Sequence, residues 1–419
     1  VLTALRRLPP TVWAFGAVSL LTDAASDMVY PLLPKLLAAV GGGAIALGAV
    51  EGTAELISSV VKVQAGRAAD RGGAHGRFVV AGYALAAVAR PCLAFVTAPW
   101  QAVVARTADR FGKGLRSAPR DAILSHATPP ERRGLAFGVH RAMDNLGAVI
   151  GPLLAFLLLS VFGLSIRTVV VLAIVPGILS TLLAIATLRR APKIEAATPR
   201  HGASAAGGAP LPRDARALLV ATAIFALGAS ADSFLLLHLE ALGLPIALLP
   251  IAWVTLQLGK SLANVPGGAL ADRFGPRPVL VASFGVYSIA YAAFAAASSW
   301  AAVWAIFAIY ALHYGLGEGA EKALMARLVP RKSRGGAFGW QYAVHGAALL
   351  PANLLFGWLY TRRPLVAFTV SSAFAAAAAL ALVTLVPTSG SPSHESPSHE
   401  SPSHESPSHE SDESVDSAS

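Results

Sequence analysis

The chain has 419 residues, 55% hydrophobic and only 13% charged, with a single cysteine, Cys92. Soluble domains carry about 25% charged residues, so an ordinary soluble domain is excluded, and one cysteine excludes a disulfide framework or a Cys-rich metal centre. The formal charge of +10 hides a purely acidic segment after Pro387, leaving the body near +17, and the basic residues lie between apolar stretches as the positive-inside rule requires rather than as nucleic-acid binding would.

A membrane-spanning helix needs roughly 20 apolar residues. Twelve such stretches are read near 12–38, 44–65, 78–97, 100–125, 135–162, 166–188, 215–240, 245–267, 278–297, 300–326, 336–360 and 364–387. The first contains Asp23 and Asp27, is too long for a signal-peptide core and lacks a small-residue cleavage site, so no cleavable signal is expected. Cys92, inside the third, is expected to be a small buried hydrophobe. The basic, Gly/Ala/Pro-rich segment 189–214 reads as a linker between two six-helix bundles, 1–188 and 215–387, with a tail from 388 to 419. Arg and Lys cluster in alternate loops (Arg6-Arg7, Arg67/Arg71/Arg77, Arg132-Arg133, Arg189-Arg190-Lys193, Arg273/Arg277, Arg331-Lys332-Arg334), Arg362-Arg363 being the exception. This places both termini and the linker in the cytoplasm of a multi-pass inner-membrane protein.

The two halves repeat. Gly66-Arg-Ala-Ala-Asp70-Arg71-Gly-Gly73 recurs as Gly268-Ala-Leu-Ala-Asp272-Arg273-Phe-Gly275. Arg133-Gly-Leu-Ala-Phe-Gly matches Arg334-Gly-Gly-Ala-Phe-Gly, and Asp27 aligns loosely with Asp232. Glycines in the turn permit close packing and positive φ, and its Asp can cap a helix or pair with a neighbouring Arg.

Charged residues inside spans cost at least ~2.5–3.5 kcal/mol each at the centre of a span, so they face inward and default to function. Glu51, Glu55, Ser58 and Lys62 are spaced 4, 3 and 4, one face of the second span. Asp23 and Asp27 stand one turn apart in the first. The fourth holds Arg106, Asp109, Arg110, Lys113, Arg116, Arg120 and Asp121, and the fifth His140, Arg141, Asp144 and Asn145. In the second half stand Asp232 and His238, then Gln257, Lys260 and Asn264, then His313, Glu318, Glu321 and Lys322, then Gln341 and His345. Arg116, Arg120 and Asp121, near the cytoplasmic end, read mainly as structural ion pairs, and Lys62 as a snorkelling residue. A carboxylate's proton affinity responds to burial and to neighbouring charge, which suits Asp23, Asp27, Glu51 and Glu55 to carry protons. Arg106, Asp109, Arg141, Asp232, Lys260, Glu318 and Glu321 are candidates for the same pathway. His140 and Asp144, one turn apart, are candidates to share a metal or a proton, and His313 and His345 are weaker candidates.

The tail repeats Ser-Pro-Ser-His-Glu four times between Ser391 and Glu410. Proline in every repeat and the lack of apolar residues predict a disordered cytoplasmic segment. His394, His399, His404 and His409, each beside a Glu, have the chemistry to ligate Ni²⁺, Zn²⁺ or Cu²⁺.

Taken together, the Asp-Arg turns resemble the loop 2–3 and loop 8–9 motif of the major facilitator superfamily. Arg106-x-x-Asp-Arg-x-Gly112-x-Gly114 is similar to its fourth-helix motif, with Arg110 where Gly is usual. Gly147-Ala-Val-Ile-Gly151-Pro152 resembles its fifth-helix motif of antiporter-type exporters; Ala352-Asn353 stands at the corresponding place in the second half. The resemblance covers residues 1–387. It implies an all-α, twelve-helix membrane protein in two pseudo-symmetric bundles, with the first turn latching the halves on the cytoplasmic face when the carrier opens outward. Asp121 is the expected partner of Arg71 or Arg77 in that latch. The segments Ser19–Pro34, Asp109–Ala122 and Phe137–Ala148 resemble a bacterial subgroup that includes nickel-resistance permeases with His-rich C-termini. That likeness implies proton-coupled efflux of a divalent metal such as Ni²⁺ or Co²⁺. An exporter of a small organic solute or drug is the alternative, and a membrane metal sensor a further one. No enzyme activity and no cofactor beyond coupling protons are expected. No nucleotide-binding Gly-x-x-x-x-Gly-Lys-Ser/Thr loop is present, so no ATPase subunit is expected either. The remaining expectations are a bilayer environment, a small solute or metal as cargo, no nucleic acid, and action as a monomer.

Overall fold

The computed structural model describes residues 8–129, 133–190, 211–330 and 334–386, which form helices and short connections with no strand among them. The first span is α1 (Pro10–Val29), a 3₁₀ turn (Tyr30–Leu32) and α2 (Leu33–Ala38). α3 (Ala44–Gly72), α4 (His75–Ala89), α5 (Pro99–His126) and α6 (Arg133–Ser160) are the second to fifth, and α7 (Ile166–Leu172) with α8 (Ile174–Arg190) makes the sixth. The seventh is split into α9 (Arg213–Gly228) and α10 (Ser233–Ala241). α11 (Leu249–Phe274), α12 (Pro276–Ala296), α13 (Trp300–Leu328), α14 (Arg334–Arg362) and α15 (Pro364–Leu385) complete twelve.

Ten of the twelve are long and apolar enough on their own to cross a bilayer. The others are the first, broken at Tyr30–Leu32, and α5, whose charged stripe needs neighbours to cover it. Pro10, Pro99, Pro276 and Pro364 open helices, where the missing N–H would have had no partner anyway. The repeated turn is itself the last turn of α3 and of α11, so these helices run past the expected ends near 65 and 267. Gly73 (φ 60°) and Gly275 (φ 88°) end them at matching places in the repeat, in conformations that disfavour a side chain. α8 and α9 extend to Arg190 and from Arg213 into the expected linker, whose remaining residues, like the tail, lie outside the described ones.

Within the first half α1 packs on α6 and α8, and α5 on α3 and α4; in the second, α11 packs on α13, and α15 on α9 and α12. Small residues allow this closeness, as interhelical contact in a bilayer requires. A Cβ on Gly82 would stand 2.6 Å from the Gly112 carbonyl oxygen, one on Gly114 2.7 Å from that of Ser58, and one on Gly66 3.1 Å from Ala118 Cβ. Gly147 and Gly151 lie directly against the backbone of Leu20 and Ala24 in α1, and Pro152 follows inside α6. Cys92 corrects the expectation of burial: it is exposed, with Sγ 3.3 Å from the Val88 carbonyl. The outer surface of a span meets apolar lipid, so a small hydrophobe gains little by turning inward.

The halves meet through α3 with α14 and α6 with α11. At the face opposite the start of α1 and the end of α15, the far face, Lys35 of α2 bonds Glu240 of α10 at 2.7 Å. There Gly48 rests on the Asn353 carbonyl and Gly357 on that of Ala44, with no room for a Cβ. At the terminal face the contacts are looser: Arg141 to Glu318 at 3.6 Å and Lys62 over the Tyr342 ring at 5.2 Å.

Candidate transport cavity

Between the halves lies a cavity of about 590 Å³, lined by both. Toward the far face its walls are buried residues, Tyr30, Glu51 and Asp232. Toward the terminal face they are exposed: Glu55, Lys113, Arg141, Asn264, Glu318 and His345. The cavity therefore opens at the terminal face and is closed at the far face. Eight carboxylates line it (Asp23, Asp27, Glu51, Glu55, Asp144, Asp232, Glu318, Glu321) against four cationic side chains (Arg110, Lys113, Arg141, Lys260). Trp253, Tyr287, Tyr310 and Tyr314 add aromatic faces.

In the first half the charges form two layers. Facing the cavity are Asp23 and Asp144, whose carboxyls lie within hydrogen-bonding reach of each other, and Arg110 and Lys113 of α5. Asp144 also accepts from Ser19 Oγ at 2.5 Å and lies 3.6 Å from Arg141. Behind them runs a buried chain: Arg90 to Asp109 at 2.8 Å, Asp109 to Arg106 at 3.2 Å, and Arg106 to Glu51 at 3.4 Å, with the Arg106 guanidinium over the Tyr30 ring. Alternating charge pairs let an otherwise prohibitive stripe sit inside the bundle.

In the second half the seventh span is broken where it meets the cavity. The residues between α9 and α10 leave backbone groups that side chains recover. Ser371 Oγ donates to the Gly228 carbonyl, Tyr287 accepts from the Ser230 N–H at 3.4 Å, and Asn353 Oδ1 accepts from the Ala231 N–H at 2.8 Å. Non-helical backbone at membrane depth is tolerated where it lines a cavity in this way. The break projects Asp232, which accepts from Lys260 Nζ at 2.7 Å, Tyr310 at 2.8 Å and Tyr314 at 2.9 Å. Trp253 Nε1 donates to Asp27 at 3.1 Å, joining the halves above this cluster.

Of the residues expected in the pathway, Asp23, Asp27, Glu51, Glu55, Arg141, Asp144, Asp232, Lys260, His313, Glu318, Glu321 and His345 line the cavity. Three do not. Arg106 and Asp109 are buried behind it, because their face of α5 turns to α3 and α4, where Glu51 and Arg90 wait. His140 is buried outside the lining, so it does not share a cavity site with Asp144. His238, expected on an inward polar stripe, packs against Phe368 and bonds Tyr360 at 3.0 Å. His313 bonds Ser283 at 2.9 Å, and Glu321 accepts from Gln341 at 2.6 Å.

The latch expected between Asp121 and Arg71 or Arg77 is not formed. Arg120, next in sequence, takes Asp121 at 2.9 Å, while Arg71 and Arg77 are exposed. Asp272 is exposed and Arg273 lies over the Phe274 ring; the Asp70 side chain lies outside the described residues. Among the described residues no three His, Cys, Asp or Glu side chains are grouped to hold a metal ion. His394, His399, His404 and His409 fall outside them.

Arg90, Trp253, Tyr310 and Tyr314 were not singled out in the sequence, and Asn353 only as part of the pair standing where the first half has Gly151-Pro152. Arg90 had a signal, a lone charge in an apolar span. The aromatic residues had none, since cavity and packing aromatics have the same spacing.

The Major Facilitator Superfamily profile matches residues 15–256 and 218–411. The chain belongs to this superfamily. The MFS-type transporter MJ1317 of Methanocaldococcus jannaschii is 31% identical over 389 residues, covering 90% of this chain and 95% of that protein. The multidrug resistance protein MdtH of Photorhabdus laumondii is 31% identical over 133 residues, 32% of this chain and 33% of its own length. Among solved structures, the nucleoside transporter NupG superposes with a TM-score of 0.70 at 15% identity, over 90% of this chain and 98% of that one. A bacterial homologue of the lysosomal transporter Spinster, solved inward-facing, also gives 0.70 at 15% identity, over 90% and 95%. These likenesses establish the twelve-helix facilitator fold of a multi-pass membrane transporter.

Proposed function

We propose that this facilitator-superfamily carrier is a proton-coupled exporter of small organic cations or zwitterions. Both termini lie in the cytoplasm of the inner membrane, so the conformation described is open inward. The observation that carries the reading is the cavity. About 590 Å³ falls in the range of drug-sized sites, roughly 300–1,000 Å³. Its excess of carboxylates over cations favours a positively charged guest, and its Trp and Tyr faces suit an organic one. Partial likeness to a multidrug resistance protein points the same way. The carrier works as a monomer, without enzymatic chemistry or an ATPase subunit.

Coupling is assigned to the carboxylates facing the cavity. Asp23 with Asp144, together with Asp27 and Glu55, is reached by water from the cytoplasm in this conformation. Protonation and cargo binding compete for the same negative charge, which is how an antiporter exchanges one for the other. Export of Ni²⁺ or Co²⁺, implied by the subgroup resemblance, is supported by the His-Glu tail and by the facing carboxylates of Asp23 and Asp144. It needs ligands beyond any cluster among the described residues.

Everted vesicles carrying the full chain, with an imposed pH gradient, test the reading. Uptake of cationic dyes or arylalkylamines, abolished by a proton ionophore, is expected. Gradient-driven uptake of Ni²⁺ or Co²⁺ with none of any organic cation would overturn it.

A further inference from the structure

The Asp232 cluster has the parts of an ammonium-binding site, and a lysine of the chain already fills it. Lys260 Nζ lies 2.7 Å from Asp232, 3.7 Å from the centre of the Tyr314 ring and 5.3 Å from that of Trp253. Tyr310 and Tyr314 hold the carboxylate from the other side, at 2.8 and 2.9 Å. A carboxylate with its remaining lone pairs occupied, walled by aromatic faces, is what recognises an alkylammonium. Asp232 is 8% exposed on the side-chain scale and Lys260 18%, and Asp232, Lys260, Tyr314 and Trp253 all line the cavity. A bare carboxylate at this depth is costly, so Asp232 needs a cation or a proton to neutralise it, and in this conformation Lys260 does so.

We propose that this cage is the subsite for the ammonium head of the cargo, and that Lys260 is its tethered competitor. This rests on the organic-cation reading above and adds the group recognised and the residue that guards it. Lys260 fills the cage in the empty carrier. A guest amine entering from the cavity takes its place on Asp232 and the Tyr314 face. The displaced ammonium has Gln257, Ser261 and Asn264 of its own helix beside the cavity to solvate it. Guests that carry no positive charge cannot make this exchange. The tether also explains why a cavity with excess negative charge presents a lysine at its deepest cluster.

The test uses purified full-length protein in nanodiscs and radiolabelled phenethylammonium as probe, with neutral 2-phenylethanol as control. Lys260→Met removes the competitor, and phenethylammonium should then bind at least tenfold tighter than to the wild type. Phenylethanol should show no such gain, which separates loss of the competitor from mere enlargement of the cavity. Asp232→Asn should weaken phenethylammonium binding at least tenfold, with or without Lys260→Met. Phenethylammonium affinity in Lys260→Met equal to or below wild type overturns the proposal, as does an equal gain for phenylethanol. Lys260→Gln serves in the same comparison if the Met variant does not yield monodisperse protein. Vesicle transport separates the two levels. A gain in binding without transport of any organic cation by the wild type removes the transport reading and keeps the subsite. Transport without the gain removes only the subsite.

Discussion

The contact between α3 and α14 must part if the carrier is to open outward, and it is built on glycines that leave no room. Gly48 and Gly357 lie on the Asn353 and Ala44 carbonyls, and a Cβ on Gly52 would stand 2.9 Å from Leu350 Cα. Carbon atoms rest at about 3.5–4.0 Å, so Gly48→Ala with Gly357→Ala forces the helices apart in the conformation closed at the far face. Overpacking of this kind costs about 1–3 kcal/mol per site. The better helix propensity of Ala acts equally in both conformations and cancels from their ratio. Over the two sites the penalty is about 2–6 kcal/mol, and even its lower end of about 2 kcal/mol moves that ratio about 30-fold toward the outward-open form. Spin labels at Ala39→Cys and Ala241→Cys, exposed positions on the far sides of the two halves, read it by pulsed electron resonance in a Cys92→Ser background. The double variant should gain a longer-distance population. Gly151→Ala is the control, because Gly151 packs on α1 within one half and keeps that contact in both conformations. It should lower thermal stability without changing the distances. A double-variant distribution identical to that of the parent would show that this interface does not hold the far side closed.

Lys35→Ala removes the 2.7 Å far-side bond, but Lys35 is 37% exposed and screened, so an effect below about 1 kcal/mol is expected. The outward-open population should rise only a few-fold, and high salt should reproduce the rise in the parent. Arg90→Met leaves the buried Asp109 short of its closest cation, which costs about 3–5 kcal/mol. Thermal unfolding should show it, and Arg90→Met with Asp109→Asn should be less damaging than Arg90→Met alone. Asp27→Asn and Glu55→Gln should each abolish proton-coupled export while leaving the protein folded, measured as loss of pH-gradient-driven uptake in everted vesicles. Deleting residues 388–419 should leave transport intact and at most lower its metal sensitivity; complete loss of export would place the tail in the pathway.

The spans and the repeat were legible because hydropathy and the Asp-Arg turn are local signals, and Gly73 and Gly275 even keep the same left-handed sign of φ. The charged stripes were legible as inward-facing. Their azimuth was not. On α5 the rows of Arg110 and Lys113 and of Arg106, Asp109 and Arg116 are less than a turn apart, yet one faces the cavity and the other a buried network. What divides them is the partners that neighbouring elements offer the buried row, Arg90 for Asp109, Glu51 for Arg106 and the Tyr83 ring for Arg116, and helical periodicity says nothing about partners. Asp121 shows the same limit: in this conformation it pairs with its own neighbour Arg120, while the latch to the repeated turn is expected only when the carrier opens outward. That limit also hid the break in the seventh span, since nothing in residues 229–232 demands one. Asn353, 122 residues away, stabilises it by accepting the Ala231 N–H.

That break ties cargo recognition to the closed far side. Asp232 and Lys260 meet beneath Trp253, and the Trp253 indole both covers the Lys260 ammonium and donates to Asp27 of the opposite half. Tyr30, at the 3₁₀ turn of the first span, lies 4.5 Å from the same indole, centre to centre. An occupant of the cage thus lies beside an indole that bonds across the halves, and whatever moves Trp253 loosens Asp27 as well. Trp253→Phe keeps a ring over the cage but removes the N–H. It should therefore preserve phenethylammonium binding within a few-fold while raising the outward-open population in the spin-label assay. Weakened binding with an unchanged distance distribution would mean that Trp253 serves the cage alone.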